Sequence, residues 1–309
     1  MSATLPELRS PLILDGGLAT ELEARGYDLN HPLWSAKLLI EAPDAIRDVH
    51  LAYLRAGAGC IISASYQASV DGFISLGLSE EEALSLLDLS IKLGREAINQ
   101  YRHEASPLVH PLLAASVGPY GACLADGSEY HGNYDLDQAG LYRFHRQRLL
   151  RLAAGGADLL ACETIPCIDE ALALGQLVAE TETPAWISFS CRDGELLSSG
   201  ESIEKAARAL AGHSSLLALG VNCTAPGHIT SLIDRLRHCW SGRIVVYPNS
   251  GERYCADTGN WEGTRSPLEF ADAAGTWLQR GADIVGGCCR TGPGHVAALR
   301  RALELPGRA

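Results

Sequence analysis

Three cysteines, Cys223, Cys288 and Cys289, have the residue type and placement that best suit a metal site. Three thiolates that leave one coordination position open are typical of a catalytic zinc, whereas structural zinc sites are usually closed by four protein ligands. Because neighbouring side chains on a regular strand point to opposite faces, Cys288 and Cys289 can share a metal only where the backbone bends. The preceding Gly286-Gly287 favours such a bend. Spacing alone leaves a second interpretation open, which is three buried core cysteines.

Other polar residues and glycines stand in the last part of apolar runs of the sequence, at the positions where an α/β protein places its active site. These residues are Asp15, Gly16, Gly17, Ser63, Glu163 and Asn249. In a barrel the carboxyl ends of the strands converge on one rim, so we expect these residues to lie near the three cysteines. The alternative interpretations are a simple turn at Asp15 or Asn249 and a structural ion pair at Glu163.

Eight short apolar runs alternate with amphipathic segments along the chain. The runs are Leu12–Gly17, Cys60–Tyr66, Leu112–Gly118, Leu159–Thr164, Ala185–Cys191, Leu216–Cys223, Ile244–Ser250 and Ile284–Arg290. The segments with helical spacing are Pro43–Ala56, Glu80–Tyr101, Asp137–Ala154, Ile168–Glu180, Ser202–Ala211, Ile229–Cys239, Leu268–Arg280 and Gly294–Leu303. Continuous short runs are typical of parallel strands buried on both faces. The alternation predicts an α/β fold, a single (β/α)8 TIM barrel, with residues 1–309 as one domain.

Two long segments, Tyr120–Asp135 and Gly251–Ser266, follow the third and seventh apolar runs. Long loops on this side of a barrel are more often functional than short ones. The aromatic residues Trp34, Tyr120 and Tyr130 are candidates for holding a sulfonium cation over their rings, with packing alone as the alternative.

The composition limits the classes of partner. The chain has 309 residues and a formal net charge of −12, which disfavours nucleic acid because phosphate contacts need clustered Lys and Arg. No apolar run approaches the roughly 18 residues of a membrane span, and Met1–Ser10 lacks the apolar core of a secretory signal. Ten cysteines without the spacing of a disulfide scaffold indicate a reducing cytoplasm. Small-molecule substrates are therefore expected, and the sequence carries no signal for an oligomeric state.

Several segments of the chain resemble the homocysteine-binding zinc methyltransferases. Three of them recur in the betaine-dependent and cobalamin-dependent members of that family: Leu14–Glu23, Gly220–Cys223 and Gly286–Arg290. Four others resemble the S-methylmethionine-dependent homocysteine S-methyltransferase branch: Asn30–Ala36, Ser63–Ala68, Ser116–Gly121 and Val246–Glu252. The resemblance extends from about residue 12 to about residue 300.

The resemblance implies a zinc ion held by Cys223, Cys288 and Cys289. It implies methyl transfer from a sulfonium donor, S-methylmethionine or S-adenosylmethionine, to the thiol of L-homocysteine, giving methionine. A thiol bound to a metal is deprotonated, and the thiolate is the nucleophile. Asp15 and Glu163 match the acidic residues that hold the substrate amino group in the family.

The same resemblance places further residues around the substrate. Amides at Gly16 and Gly17, before a helix, would suit its carboxylate, because helix N-termini favour anions. Ser63 matches a substrate-contacting hydroxyl, and Asn249 would lie beside the metal. The betaine-dependent enzyme has a tyrosine that reaches zinc without substrate, and the matching position here is Gln67. A water molecule, Gln67 and Asn249 are thus alternative fourth ligands.

Other activities fit the same barrel. The acceptor could be selenocysteine or another thiol, and the donor betaine or methylfolate. We expect neither of those two donors, because the sequence shows no second domain for folate or cobalamin and ends at Ala309 without the betaine enzyme's C-terminal extension. In a non-enzymatic zinc- or thiol-binding barrel, Asp15 and Glu163 would have no substrate to hold.

Overall fold

A computed structural model describes residues 11–31, 33–124, 126–251, 253–255, 260–262 and 266–304. Its strands are β1 (Leu12–Ile13), β2 (Cys60–Ile62), β3 (Leu112–Val117), β4 (Leu159–Ile165), β5 (Ala185–Phe189), β6 (Leu216–Asn222), β7 (Arg243–Tyr247), β8 (Arg253–Cys255), β9 (Asn260–Glu262) and β10 (Ile284–Val285). Eight of these strands form one parallel sheet in the order β1-β10-β7-β6-β5-β4-β3-β2, and β8 pairs with β9 as a separate antiparallel hairpin. A parallel bridge between Leu14 and Cys60 joins the two ends of the sheet. The predicted TIM barrel is confirmed.

Helices connect the barrel strands. They are α1 (Leu18–Ala24), α2 (Leu38–Glu41), α3 (Pro43–Ala56), α4 (Val70–Ser75), α5 (Glu80–Ala105), α6 (Tyr120–Leu124), α7 (Gln138–Ala154), α8 (Ile168–Ala179), α9 (Ile203–Leu210), α10 (Ile229–Arg237), α11 (Pro267–Gln279) and α12 (Pro293–Glu304). Capping boxes formed by Ser79 with Glu82 and by Ser266 with Glu269 start α5 and α11. Within the described residues, none of these helices is both long and apolar enough to cross a membrane.

The eight predicted strands and the eight predicted helices all occur, but several strands end earlier than the apolar runs. The first run, Leu12–Gly17, contributes only Leu12–Ile13 to the sheet, and the last run, Ile284–Arg290, contributes only Ile284–Val285. The residues beyond these strands leave the ladder of hydrogen bonds. Their glycines and polar side chains form the rim of the barrel instead.

Alternate residues of the strands face two separate cores. In β7, Val245 packs in a cluster with Trp186 and Tyr247, whereas Val246 packs in the larger cluster that includes helix residues. This alternation is expected of a barrel, whose strands pack side chains inside and helices outside. The inner cluster is the floor under the rim where the polar residues lie. Close strand approach also requires Gly220, where an added Cβ would lie 1.7 Å from the Val245 carbonyl oxygen.

Candidate metal centre and active-site cavity

A cavity of about 640 Å³ lies at the carboxyl ends of the barrel strands. Apart from Asn249, all of the predicted site residues contribute to its lining: Asp15, Gly16, Gly17, Ser63, Glu163, Cys223, Cys288 and Cys289. No lysine or arginine occurs among the residues that line it in the described part of the chain. The cavity therefore combines thiols and carboxyls without a neutralising cation, which favours positively charged ligands.

The three predicted metal ligands meet at one point of this cavity. The sulfurs of Cys223, Cys288 and Cys289 all lie within 4.8 Å of one another, and those of Cys223 and Cys289 are 3.7 Å apart. Two sulfurs that each lie 2.3 Å from a tetrahedral zinc would be separated by about 3.8 Å. The donor set thus fits zinc in both chemistry and spacing, with room for a fourth ligand from the cavity.

The backbone bend that the sequence predicted before the adjacent cysteines is present. The last barrel strand ends at Val285, and the Cys288 amide donates to the Pro248 carbonyl across the rim, with an N···O distance of 2.8 Å. An added Cβ at Gly287 would lie 2.2 Å from the Thr291 hydroxyl oxygen, so only glycine fits there. This irregular path lets both cysteines contribute to one cluster.

Unusual backbone conformations concentrate at the same rim. Cys223 has a φ of 47° and Thr164 a φ of 62°, in the left-handed region that residues with a side chain rarely adopt. Asn222, which directly precedes Cys223, stabilises the conformation of Thr164, because its Oδ1 accepts from the Thr164 amide at 2.7 Å and its Nδ2 donates to the Thr164 hydroxyl at 2.8 Å. The same Nδ2 lies 4.0 Å from the sulfur of Cys288. Asn222 therefore links the strained strand ends to the metal cluster.

Two buried carboxyls face the cavity. The Ile62 amide donates to Asp15 Oδ2 at 2.8 Å, and the Ser116 hydroxyl donates to Glu163 Oε1. Burial raises the pKa of Glu163 to about 7 and raises the pKa of Asp15 well above its usual range, with a smaller contribution from the charge of Glu163. An ammonium group brought by a substrate would stabilise the ionised form of carboxyls that are buried in this way.

The remaining predicted substrate contacts lie on either side of these carboxyls. The Ser63 hydroxyl accepts from the Ser116 amide at 3.0 Å and shares a hydrogen bond with Ser65 at 2.7 Å. Gly17 precedes α1, whose first turn has no side-chain cap, and a Cβ at Gly17 would lie 2.8 Å from the Cys288 carbonyl oxygen. The glycines therefore bring a helix N-terminus close to the cluster, and the role of each residue toward substrate stays a prediction.

The alternative fourth ligands occupy different places. Gln67 lines the cavity and donates to the Ala122 carbonyl at 2.7 Å, while its Oε1 is buried without a partner. Asn249 is outside the described lining, and its Oδ1 is likewise buried without a partner. The hydroxyl of Tyr130 lies 3.6 Å from the sulfur of Cys223. Tyr130 is thus the side chain from the long loop that reaches the cluster.

Sequence reasoning missed some of the cavity residues. Tyr66 and Glu129 line the cavity, and Tyr66 forms an edge-to-face pair with Trp34, with ring centroids 6.3 Å apart. Glu129 directly precedes Tyr130 in the long segment Tyr120–Asp135, which the sequence analysis expects to be functional. Its place in that segment is the sequence feature that could have identified it as a cavity residue. Tyr120, considered for the cavity, packs instead on neighbouring aromatic rings and is absent from the described lining.

A buried polar network supports the base of this loop. Glu170 accepts from His145 at 2.7 Å and from the Tyr120 amide at 2.6 Å, and both side chains of the Glu170–His145 pair are fully buried. Arg148 donates to the Gly118 carbonyl, which directly follows β3. Hydrogen-bonded networks of this kind hold a backbone in a single conformation. The network fixes where the loop that carries Tyr130 leaves the barrel.

Comparisons with known proteins agree with this geometry. A family model described as homocysteine S-methyltransferase matches residues 12–303. The homocysteine S-methyltransferase YbgG of Bacillus subtilis is 47% identical over 300 residues, which cover 95% of each chain. The metallated form of the homocysteine methyltransferase MmuM from Escherichia coli has a TM-score of 0.86 and 44% identity, covering 95% of this chain and 96% of that chain. The oxidized form of that enzyme has a TM-score of 0.87 and 44% identity, covering 97% of this chain and 98% of that chain.

Proposed function

The chain belongs to the homocysteine S-methyltransferase family, and from this premise we propose that it transfers a methyl group from a sulfonium donor to the thiol of L-homocysteine, giving methionine. The observation that carries the proposal is the cluster of three cysteine sulfurs within 4.8 Å of one another at the mouth of the barrel. Such a cluster has one position left for a further sulfur.

The metal that we propose for this cluster is zinc, held by Cys223, Cys288 and Cys289. When bound, zinc supplies a soft Lewis acid that lowers the pKa of a coordinating thiol, so that the acceptor sulfur is a thiolate at neutral pH. The Nδ2 atom of Asn222, 4.0 Å from the sulfur of Cys288, orients that ligand. Three thiolates also add negative charge around the acceptor sulfur, which keeps it electron-rich.

A second group of cavity residues holds homocysteine. Asp15 and Glu163 bind its ammonium group in their ionised form, and the amides around Gly16 and Gly17 bind its carboxylate at the start of α1. With both ends held, the sulfur has few orientations left. Alignment of the acceptor with the donor methyl group then supplies much of the rate, and the transfer itself needs no general base.

The donor that we propose is S-methylmethionine, with S-adenosylmethionine as a second sulfonium. The cavity has no lysine or arginine among its described lining residues, and it presents the rings of Trp34, Tyr66 and Tyr130. Aromatic faces and negative charge both favour a sulfonium cation, which becomes neutral as it loses its methyl group. We also propose that residues 1–309 act as one domain in the cytoplasm, where the three thiols stay reduced.

A donor panel tests this function. Reduced, zinc-replete protein is incubated with homocysteine and S-methylmethionine, S-adenosylmethionine or betaine, and methionine is measured. We expect methionine from the sulfonium donors, fastest from S-methylmethionine, and none from the Cys288→Ala variant. Absence of methionine with every sulfonium, or full activity of protein without metal, would overturn the proposal. A parallel assay with selenocysteine as acceptor ranks the two nucleophiles.

A further inference from the structure

Glu129 is an acidic residue of the cavity lining that the proposed chemistry leaves without a role. It lies in a short 3-10 helix, Ser128–Tyr130, between β3 and α7, and it lines the cavity. Its Oε2 atom is buried and has no hydrogen-bond partner. Burial also raises the pKa of Glu129. A buried polar atom without a partner costs free energy, so natural proteins seldom keep one that no ligand uses.

The position of Glu129 is built into the fold. The Ser190 hydroxyl donates to the Glu129 carbonyl at 3.3 Å, and an added Cβ at Gly121 would lie 2.4 Å from the Glu129 amide nitrogen. The loop therefore packs closely against α6 on one side and contacts the end of β5 on the other. The next residue, Tyr130, lies with its hydroxyl 3.6 Å from the sulfur of Cys223. Glu129 is thus held next in the chain to the residue whose hydroxyl approaches the cysteine cluster.

Glu129 is separate from the carboxyls already used for the acceptor. Asp15 and Glu163 follow β1 and β4, and each has a hydrogen-bond partner within the protein. Homocysteine brings a single ammonium group, which these two residues can hold. A sulfonium amino acid such as S-methylmethionine brings a second ammonium group to the same cavity. None of the described lining residues is a lysine or arginine that could neutralise Glu129 in its place.

We propose that Glu129 binds the α-ammonium group of the methyl donor and thereby selects sulfonium amino acids over donors that lack an N–H group. The inference rests on the proposed function, and it specifies the α-ammonium group as the part of the donor that the protein recognises. An ammonium group can donate a charge-assisted hydrogen bond to the Glu129 carboxylate, whereas the quaternary nitrogen of betaine has no hydrogen to donate. Glu129 forms and breaks no covalent bond in this role.

The test compares two donors that differ only in the amino group. S-methylmethionine and 4-dimethylsulfoniobutyrate share the dimethylsulfonium, the chain length and the carboxylate. We expect Glu129→Gln to lower kcat/KM for S-methylmethionine roughly 10- to 100-fold, the range of one charge-assisted hydrogen bond, and to leave kcat/KM for the butyrate within about 2-fold. The KM for homocysteine and the zinc content should stay unchanged. Thermal unfolding should show little change in stability, because glutamine keeps the shape of the side chain.

A matched control uses the same loop. Asp126 is exposed, and Asp126→Asn removes a charge while keeping the Oδ1 acceptor for the Ser128 amide, so neither donor should be affected. Glu129→Asp, which shortens the side chain, should show an intermediate loss confined to S-methylmethionine. Equal losses with both donors, or no loss with S-methylmethionine, would overturn the inference. If the wild-type protein makes no methionine from any sulfonium, the proposed function itself fails.

Discussion

Replacing Glu163 by glutamine should weaken homocysteine binding while the metal remains bound. The carboxyl is buried, accepts a hydrogen bond from Ser116 and faces the cavity. Glutamine keeps the shape and loses the charge that pairs with the substrate ammonium. Removing one partner of a buried, charge-assisted contact costs about 2–3 kcal/mol, which corresponds to a rise in the homocysteine KM of roughly 30- to 150-fold.

The pH dependence gives this prediction a second, sharper form. Burial raises the pKa of Glu163 to about 7 in the free protein, above its usual range, so at lower pH the carboxyl must lose a proton before it can bind an ammonium group. The ratio of the homocysteine KM of Glu163→Gln to that of wild type should therefore be largest well above pH 7 and fall about tenfold for each pH unit below it. Ionisation of the homocysteine thiol affects both proteins equally and cancels in their ratio.

The assay measures the homocysteine KM of both proteins from pH 5.5 to 8.5 at saturating S-methylmethionine, with zinc content determined on the same samples. A plot of the KM ratio against pH should level off above a bend near 7. A ratio that stays near one throughout would remove Glu163 from the substrate site. A large ratio without a bend would refute the assignment of the titrating group, and loss of zinc would indicate a structural role instead.

Cys288→Ala should reduce bound zinc to below about 0.2 per chain after dialysis and abolish methyl transfer, because two thiolates hold zinc far more weakly than three; a metal-replete, active variant would contradict the ligand assignment. A mild thiol oxidant should couple the Cys223 and Cys289 thiolates, whose sulfurs lie 3.7 Å apart, as two electrons pass to the oxidant and the metal that they hold is released. Peptide mapping should find that disulfide, and inactive protein with both thiols free would count against the link. Gly220→Ala should lower the free energy of unfolding by about 3 kcal/mol or more, because a Cβ there would lie 1.7 Å from a carbonyl oxygen of β7. Gly212→Ala, with no atom within 4 Å of the added Cβ, is the control, and equal urea midpoints for the two variants would argue against the close approach.

Much of the barrel could be predicted from the sequence because it depends on local patterns, and the three cysteines of the candidate metal site were assigned through the family resemblance. Continuous apolar runs separated by segments of helical period determine which residues become buried strands and which become covering helices. The Gly286-Gly287 pair before two cysteines indicates a backbone that leaves the strand, and the structure shows that bend. The family resemblance then assigned Asp15 and Glu163, which the structure brings into the same cavity as the cysteines.

The tertiary structure alone decided which distant side chains meet. Tyr130 lies 93 residues before Cys223 in the chain, yet its hydroxyl is 3.6 Å from that sulfur, because the loop after β3 folds over the barrel mouth. Closure of the barrel also excluded Tyr120 and Asn249 from the described lining and left one oxygen of Glu129 buried without a partner. Local sequence determines the conformation of a segment, whereas contacts across the rim depend on how all eight strands close, which no single segment encodes.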